Sequence, residues 1–222
     1  MKKKIFVAVL VILLVAVAVG VAVILINANE NIAEAPSTAP NQPQAQLGVT
    51  VDSWLKIIEF TDEYEGVAVI VENVSGEDVE YAVLSVKVKD ETLTFNVSAL
   101  LSGTRAVLLC NEDVDYSADE AYTAWQVKDK ITYKKPPVMN DDVFKVEVLQ
   151  GSISIENISD KDIEADICIY YKDKNGDVLN GSVTYRTRVS GLKSGAQTFI
   201  KAEEINSDNC QIIFTDYDDK EI

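Results

Sequence analysis

Hydrophobic residues follow two different patterns along this chain. From Ile5 to Ile26 they run on without a charge or a proline. A helix of that length spans the roughly 30 Å hydrocarbon core of a membrane, so this run predicts a transmembrane helix over residues 5–26. Further along, apolar and polar residues alternate, as at Val67, Val69 and Val71. That period of two predicts β-strands with one face buried.

The charges around the apolar run predict its orientation. Three lysines precede the run, and the next charge after it is Glu30. Because positive flanks stay in the cytoplasm, we expect residues 1–4 to be a cytoplasmic tail and everything after the helix to lie outside. Residues 27–48 are rich in Ala, Asn, Gln and Pro and predict a flexible linker. The alternative is a cleaved signal peptide, which would leave a secreted protein.

The alternating part of the chain contains one pattern twice. Residues 69–80 read VIVENVSGEDVE and residues 153–164 read ISIENISDKDIE, so five of twelve positions are identical and four exchange Val for Ile. A second pair of blocks follows in the same order, Leu100-Leu-Ser-Gly103 and Leu192-Lys-Ser-Gly195. Two matched blocks in one order indicate a tandem duplication.

The boundary between the two copies is expected at Pro136-Pro137, because proline interrupts strand pairing. We therefore predict one β-sandwich repeat over residues 49–137 and a second over residues 138–222. The first pair of blocks is separated by 84 residues and the second pair by 92, so the second copy carries eight extra residues. These coincide with Lys174 to Ser182, which contains the hairpin signal Asn175-Gly176.

Each copy contains a turn that is marked by an asparagine. Asn73 and Asn157 are both followed by x-Ser, and in such turns Asn and Ser side chains bond to their own backbone. The same tripeptide is also a glycosylation acceptor in eukaryotic secreted proteins. We expect the turn role for both residues.

The order of these motifs resembles the FxLYD-type domain. An apolar strand ends in Glu-Asn-Ile-Ser, an acidic turn and a second strand follow, and then come Tyr170-Tyr-Lys-Asp-Lys-Asn-Gly-Asp177 and Leu192-Lys-Ser-Gly195. The resemblance covers most of residues 64–215 and is closer in the second copy, since Lys89-Asp-Glu-Thr92 replaces the Asn-Gly hairpin in the first. It implies a small immunoglobulin-like β-sandwich of bacterial envelope and secreted proteins, with no catalytic residues. The expected fold class is all-β, with two tandem immunoglobulin-like β-sandwich repeats after an N-terminal transmembrane helix.

Residues for common catalytic and metal sites are absent or wrongly spaced. The chain has no histidine, the usual general base and the commonest metal ligand. Ser190-Gly-Leu-Lys193 has the S-x-x-K form but lacks the S-D-N and K-T-G partners of that motif. Asp173, Asn175 and Asp177 have the spacing of calcium-loop ligands, yet the positions that need Gly and Glu hold other residues. We predict no catalytic, cofactor-binding or metal-ligating residues and no cofactor.

Net charge limits the possible partners, and cysteine content limits the possible disulfide bonds. The formal net charge of −16 should repel nucleic acid, so no nucleic-acid partner is expected. The three cysteines, Cys110, Cys168 and Cys210, are too few for a disulfide framework. Cys168 aligns with Leu84 at the 84-residue offset and is predicted to be a small apolar core residue. A bridge between Cys168 and Cys210 is the alternative.

A partner-facing region is predicted in the second copy, near its extra hairpin. Insertions on a rigid scaffold often project as loops, and such loops carry much of binding. Tyr and Arg are favoured at binding hot spots. The candidate contact residues are Asn175, Tyr185, Arg186 and Arg188. The competing interpretation is a longer hairpin that only completes the sandwich.

Three function classes remain open at this point. The favoured one is a non-catalytic, membrane-anchored extracytoplasmic protein at the cell membrane, acting as an envelope structural or partner-binding module whose partner is an envelope protein or polymer. The alternative is an extracytoplasmic ligand-binding protein for a cation or a carbohydrate, secreted if the N-terminal segment is cleaved. The third is an enzyme that uses only carboxylates, such as a glycosidase.

Overall fold

The computed structural model describes residues 47–64, 66–114 and 122–217, and these residues are all-β, as predicted. The predicted tail and anchor lie outside the described residues, as does the linker up to residue 46. Among the residues that are described, no helix has the length and apolar character needed to cross a membrane.

The strands fall into two groups along the chain. The first half contains seven strands: β1 (Thr50–Val51), β2 (Leu55–Tyr64), β3 (Gly66–Asn73), β4 (Val79–Val88), β5 (Glu91–Leu100), β6 (Arg105–Leu109) and β7 (Tyr122–Thr132). The second half contains seven more: β8 (Phe144–Leu149), β9 (Ser152–Asn157), β10 (Ile163–Asn175), β11 (Val178–Asn180), β12 (Tyr185–Leu192), β13 (Gln197–Lys201) and β14 (Cys210–Tyr217).

Both halves use one strand order. In the first half β3 lies between β2 and β6, and β4 lies between β5 and β7. In the second half β9 lies between β8 and β13, and β10 lies between β12 and β14. All of these pairs are antiparallel. Several antiparallel sheets around apolar cores are consistent with a β-sandwich.

One of the strands outside this common order links the two halves. β11 has no counterpart in the first half, and it pairs with β10 on one side and with β6 on the other, where it runs parallel. The result is an eight-stranded sheet in the order β1-β2-β3-β6-β11-β10-β12, with β14 also paired to β10. A single sheet therefore runs through both halves.

Each half has its own apolar core, and alternation along the strands explains how it forms. In β4, buried residues Ala82, Leu84, Val86 and Val88 recur at every second position, so one face of the strand is sealed by the opposite sheet. The core of the second half is smaller and includes Phe144 of β8. Ile213, Phe214 and Leu179 of the second half pack into the core of the first.

The prediction that Cys168 occupies a core position is wrong. Val79 opposes Leu100 and Ile163 opposes Leu192, but a bulge after Ile163 adds one residue to β10. Ile169 consequently takes the place of Leu84, and the side chain of Cys168 turns to the other face, where it is half-buried. All three cysteines are free, so the bridge between Cys168 and Cys210 is not formed.

The asparagine turn is confirmed in the first half. The Asn73 side chain is fully buried and its Nδ2 donates hydrogen bonds to the carbonyls of Glu77 (2.9 Å) and Leu100 (3.0 Å). Its Oδ1 accepts from the N–H (3.0 Å) and the hydroxyl (2.7 Å) of Ser75. The Gly103 N–H donates to the Asn73 carbonyl (2.8 Å), in a turn where φ of +72° favours glycine. We call this arrangement the asparagine clasp.

The second half repeats the clasp bond for bond. Asn157 Nδ2 donates to the carbonyls of Lys161 (2.8 Å) and Leu192 (2.9 Å). Asn157 Oδ1 accepts from the N–H (3.0 Å) and hydroxyl (2.7 Å) of Ser159, and Gly195 donates to the Asn157 carbonyl (2.9 Å). Because both asparagine side chains are buried and fully bonded, a glycan on either would be incompatible with the clasp.

Candidate interaction site at the joint between the two halves

The predicted contact residues do not form one cluster. Asn175 is exposed where β10 turns toward β11. Arg186 and Arg188 are two residues apart on β12, so they share a face of the sheet, and Arg188 pairs with Asp166 at 3.0 Å. Tyr185 points to the opposite face, where its ring stacks on that of Tyr171 with centroids 5.3 Å apart.

The extra residues of the second copy do not project as a loop beyond the hairpin turn. Asn175 pairs with Val178 across Gly176, which confirms the hairpin, and the chain then enters β11 and lies against β6. The reason is that Leu179 is buried and fits the core of the first half. The insertion thus joins the two halves, and we call this region the joint.

Backbone hydrogen bonds fasten the joint. The Gly181 N–H donates to the Val107 carbonyl (2.7 Å), and the Ser98 N–H donates to the Gly181 carbonyl (2.8 Å). The Leu109 N–H donates to the hydroxyl of Ser182 (2.9 Å). The insertion thus bonds to two strands of the first half, β5 and β6, and holds them in a fixed position relative to β10.

Gly181 is required for this close approach. A Cβ at that position would lie 2.6 Å from Leu108 Cδ2 and 2.8 Å from Ala106 Cβ, which is too close for an alanine. We expect Gly181→Ala to lower the free energy of unfolding by about 1–3 kcal/mol, because the joint must shift outward. Urea unfolding followed by circular dichroism measures this.

Gly76→Ala is the matched control for that substitution. Gly76 lies in the exposed asparagine turn and has open space around the position of a Cβ. We expect its effect to stay within about 0.5 kcal/mol. Equal effects of the two substitutions would contradict the close packing of Gly181.

Lys172 lies at the centre of the joint and is fully buried. Its Nζ donates to three backbone carbonyls, those of Ser98 (2.7 Å), Asn180 (2.9 Å) and Val183 (3.0 Å). Loss of water around the amine lowers the pKa of Lys172 to about 7. The three carbonyl acceptors match the three donors of an ammonium group and act in the opposite direction. Lys172 therefore ties β10 to both the insertion and the first half.

An aromatic cluster where β10 pairs with β14 continues the joint. Phe214 stacks on Tyr170 with centroids 4.2 Å apart and meets Tyr133 edge-on at 5.6 Å. Tyr170 and Phe214 belong to the second half and Tyr133 to the segment after β7, so this contact crosses between the halves. Burial, together with the nearby Glu80 carboxylate, raises the pKa of Tyr133.

A cleft of about 330 Å³ opens beside these rings. Its walls are the aromatic cluster and Pro136-Pro137, and charged groups also line it: Glu80, Lys135 and Asp216. A cleft of this size, in which aromatic rings lie beside several polar and charged groups, falls in the size range of small-molecule sites. The proline pair that marks the boundary in the sequence therefore lines the cleft between the halves.

Sequence reasoning identified the insertion but not the residues that make it a joint. Lys172 stands in a run of strand residues beside Asp173 and Lys174, and nothing in that run distinguishes a buried lysine from a solvated one. One signal that the sequence offers is the Asn180-Gly181 pair, because Asn-Gly marks a turn or loop and glycine permits a close approach of another strand. In comparisons with known proteins, no family model, no curated protein and no solved structure matches this chain.

Proposed function

We propose that this protein is a non-catalytic extracytoplasmic module, anchored in the cell membrane by its N-terminal segment, that binds an envelope partner. In this proposal its two halves are tandem immunoglobulin-like β-sandwiches. The two identical asparagine clasps and the shared strand order support a duplication. The observation that carries the function is the joint, because it fixes two small modules into one binding unit.

A fixed joint matters for binding because a binding surface that spans two modules keeps its shape only if the two modules keep their relative position. Loose tandem modules lose freedom on binding, which weakens affinity. Here β11 and the Lys172 amine already hold the halves together before any partner arrives. The proposal therefore assigns the insertion a role in preorganisation rather than direct contact.

Cross-linking of the full-length chain in intact membranes tests the binding function. An amine-reactive bifunctional reagent should yield a few discrete products that contain this chain and one other envelope component. We expect the products to persist in cells carrying Gly76→Ala and to decrease in cells carrying Gly181→Ala at equal protein level. Products that are absent, or that are unaffected by loosening the joint, would contradict the proposal.

Membrane topology is a separate prediction of this proposal. Protease added to intact cells should degrade the chain beyond residue 26, because that part is expected outside. The N-terminus of the cell-associated protein should still be Met1 or Lys2. A mature form that begins near residue 29 or 36 would instead show cleavage and a secreted protein.

The cleft supports a second candidate, an extracytoplasmic ligand-binding protein. Its rings could receive the apolar face of a carbohydrate while Glu80 and Asp216 accept hydrogen bonds from hydroxyl groups. Titration with a panel of neutral mono- and disaccharides, read by the aromatic NMR signals of Tyr133 and Phe214, tests it. Chemical-shift changes that saturate with added sugar in the wild type and are absent in Tyr170→Ala would favour the ligand-binding protein over the partner-binding module.

A further inference from the structure

We propose that the edge of β13 that no described strand pairs with is where the partner docks, by adding an extended strand that runs parallel to β13 and carries an apolar residue followed by Asn-Gly. This inference rests on the proposed partner-binding function and names the surface that performs it. The reason is that β13 corresponds to β6 of the first half. The outer edge of β6 is covered by β11, whose apolar Leu179 is followed by Asn180-Gly181.

The match between β6 and β13 follows from register. Val107 of β6 opposes Ile70 of β3, and Phe199 of β13 opposes Ser154 of β9. Ser154 lies 84 residues after Ile70 and Phe199 lies 92 residues after Val107, which are the two offsets of the duplicated blocks. Each strand also follows directly on the clasp glycine of its half. β6 and β13 are therefore the same strand in two copies.

The two strands differ in what covers them. β11 lies against the outer edge of β6, and Val107 is only 5% exposed. β13 ends its sheet, in the order β13-β9-β8, and Phe199 is 59% exposed, the largest value for an exposed apolar residue in the described chain. A lone exposed apolar residue needs no explanation, but this one stands where its counterpart is covered.

The backbone groups that hold β11 have equivalents on β13. On β6 they are the carbonyl of Val107 and the N–H of Leu109. The corresponding groups on β13 are the carbonyl of Phe199 and the N–H of Lys201. Unpaired groups along a strand edge are the template on which peptide-recognition domains add a strand. The edge of β13 therefore offers the bonds that Gly181 and Ser182, which follow β11, make with β6.

The residues of β11 and of Gly181 after it indicate which residue types the incoming strand needs. Leu179 opposes Ala106, Asn180 opposes Val107, and Gly181 then passes over Ala106 and Leu108 with no room for a side chain. On β13 the positions of Ala106 and Leu108 are taken by Thr198 and Ile200, which are no smaller. Glycine after the Asn position is thus the main requirement on the partner.

A second copy of this chain is the less suitable occupant. β11 of any other copy is already paired with β10 and β6 of that copy, so it has no free edge to offer. A net charge of −16 on each chain also opposes association of two copies. A different polypeptide with a free strand meets neither obstacle.

A peptide with the sequence of residues 177–183, Asp-Val-Leu-Asn-Gly-Ser-Val, is the probe for this edge. The dye-labelled peptide is titrated into the full-length chain in detergent, with anisotropy as the readout, and hydrogen exchange then maps the contact. We expect saturable binding and slower exchange in the fragment that contains residues 197–201. A peptide with valine in place of its glycine should bind at least about tenfold more weakly, because the valine side chain has no room.

Variants of β13 separate backbone pairing from side-chain contact. Phe199→Pro removes the outward N–H of the residue that corresponds to Val107, which pairs with Asn180 in the β6–β11 ladder. It should weaken the peptide by about tenfold or more, whereas Phe199→Ser keeps that N–H and should weaken it by less than about threefold. Lys201→Pro, at the end of the strand, gives a second test if Phe199→Pro lowers the thermal midpoint of unfolding.

Three results would overturn the inference. They are no saturable binding, slower exchange at residues 105–109 instead of 197–201, and a homodimer that Phe199→Pro abolishes. The first two would leave the proposed function standing if membrane cross-links persist, since the partner would then dock elsewhere. Loss of the cross-links with intact peptide binding would instead contradict the proposed function alone.

Discussion

Replacing Lys172 by methionine will abolish a rise in stability that the wild-type protein shows between about pH 7 and pH 9. The folded protein holds Lys172 with a pKa of about 7, whereas the unfolded chain holds it at the usual 10.5. Between these values the unfolded state binds one more proton than the folded state, so stability increases with pH. The increase is at most about 1.4 kcal/mol per pH unit, and the three carbonyl bonds reduce it by favouring the charged amine.

The upper end of this pH window is set by two cysteines. Burial raises the pKa of Cys110 and of Cys210 to about 11 from an ordinary 9.0. A thiol with a raised pKa contributes stability that is lost as the pH rises above its unfolded value. The lysine effect is therefore measured below pH 9, where both thiols are protonated in either state.

Lys172→Met tests this assignment at pH 7 and pH 8. The variant has no amine to titrate, so its stability should be flat across this range, and by pH 8 it should be about 1–2 kcal/mol less stable than wild type. Lys193→Met, at an exposed position, is the control and should keep the wild-type slope. A wild-type protein with no slope would show that the carbonyl bonds keep Lys172 charged throughout.

Asn157→Ala will strongly destabilise the second half, at about 3 kcal/mol. Alanine removes four hydrogen bonds and leaves the buried carbonyl of Leu192 without its donor. Asn73→Ala should cost about the same, because the first clasp has the same bonds. Urea denaturation curves at pH 7 give these values.

Asn96→Ala is the matched control for the clasp variants. Asn96 is also followed by x-Ser, but its Nδ2 makes an exposed bond to Asn111 Oδ1. We expect a loss below about 1 kcal/mol. In both clasp variants the two halves should unfold in one transition because the joint couples them. Two separate transitions in wild type would contradict that coupling.

The sequence predicted those features that local patterns determine. Alternation of apolar residues at Val67, Val69 and Val71 identified β3, and the repeated Asn-x-Ser located both clasps. The Asn175-Gly176 pair predicted the hairpin that the structure contains. In each case the residues that carry the signal also make the bonds, so the sequence alone was sufficient.

Features that depend on a bulge or on a distant segment could not be predicted. The displacement of Cys168 arises from one added residue after Ile163, and an ungapped alignment of the two copies does not show it. The burial of Lys172 depends on Ser98, which lies 74 residues away. A periodic pattern shows which face of a strand is apolar, but not which segment will cover the other face.

The parallel pairing of β6 with β11 has a consequence for how the protein is made. The hydrogen bond from the Leu109 N–H to the Ser182 hydroxyl cannot form until Ser182, 73 residues further along the chain, has been synthesised. During synthesis the first half therefore emerges with the edge of β6 bare, and non-local parallel contacts of this kind form slowly. Until residue 182 has appeared, the nascent chain presents a strand edge to its surroundings and is at its most vulnerable to misassociation.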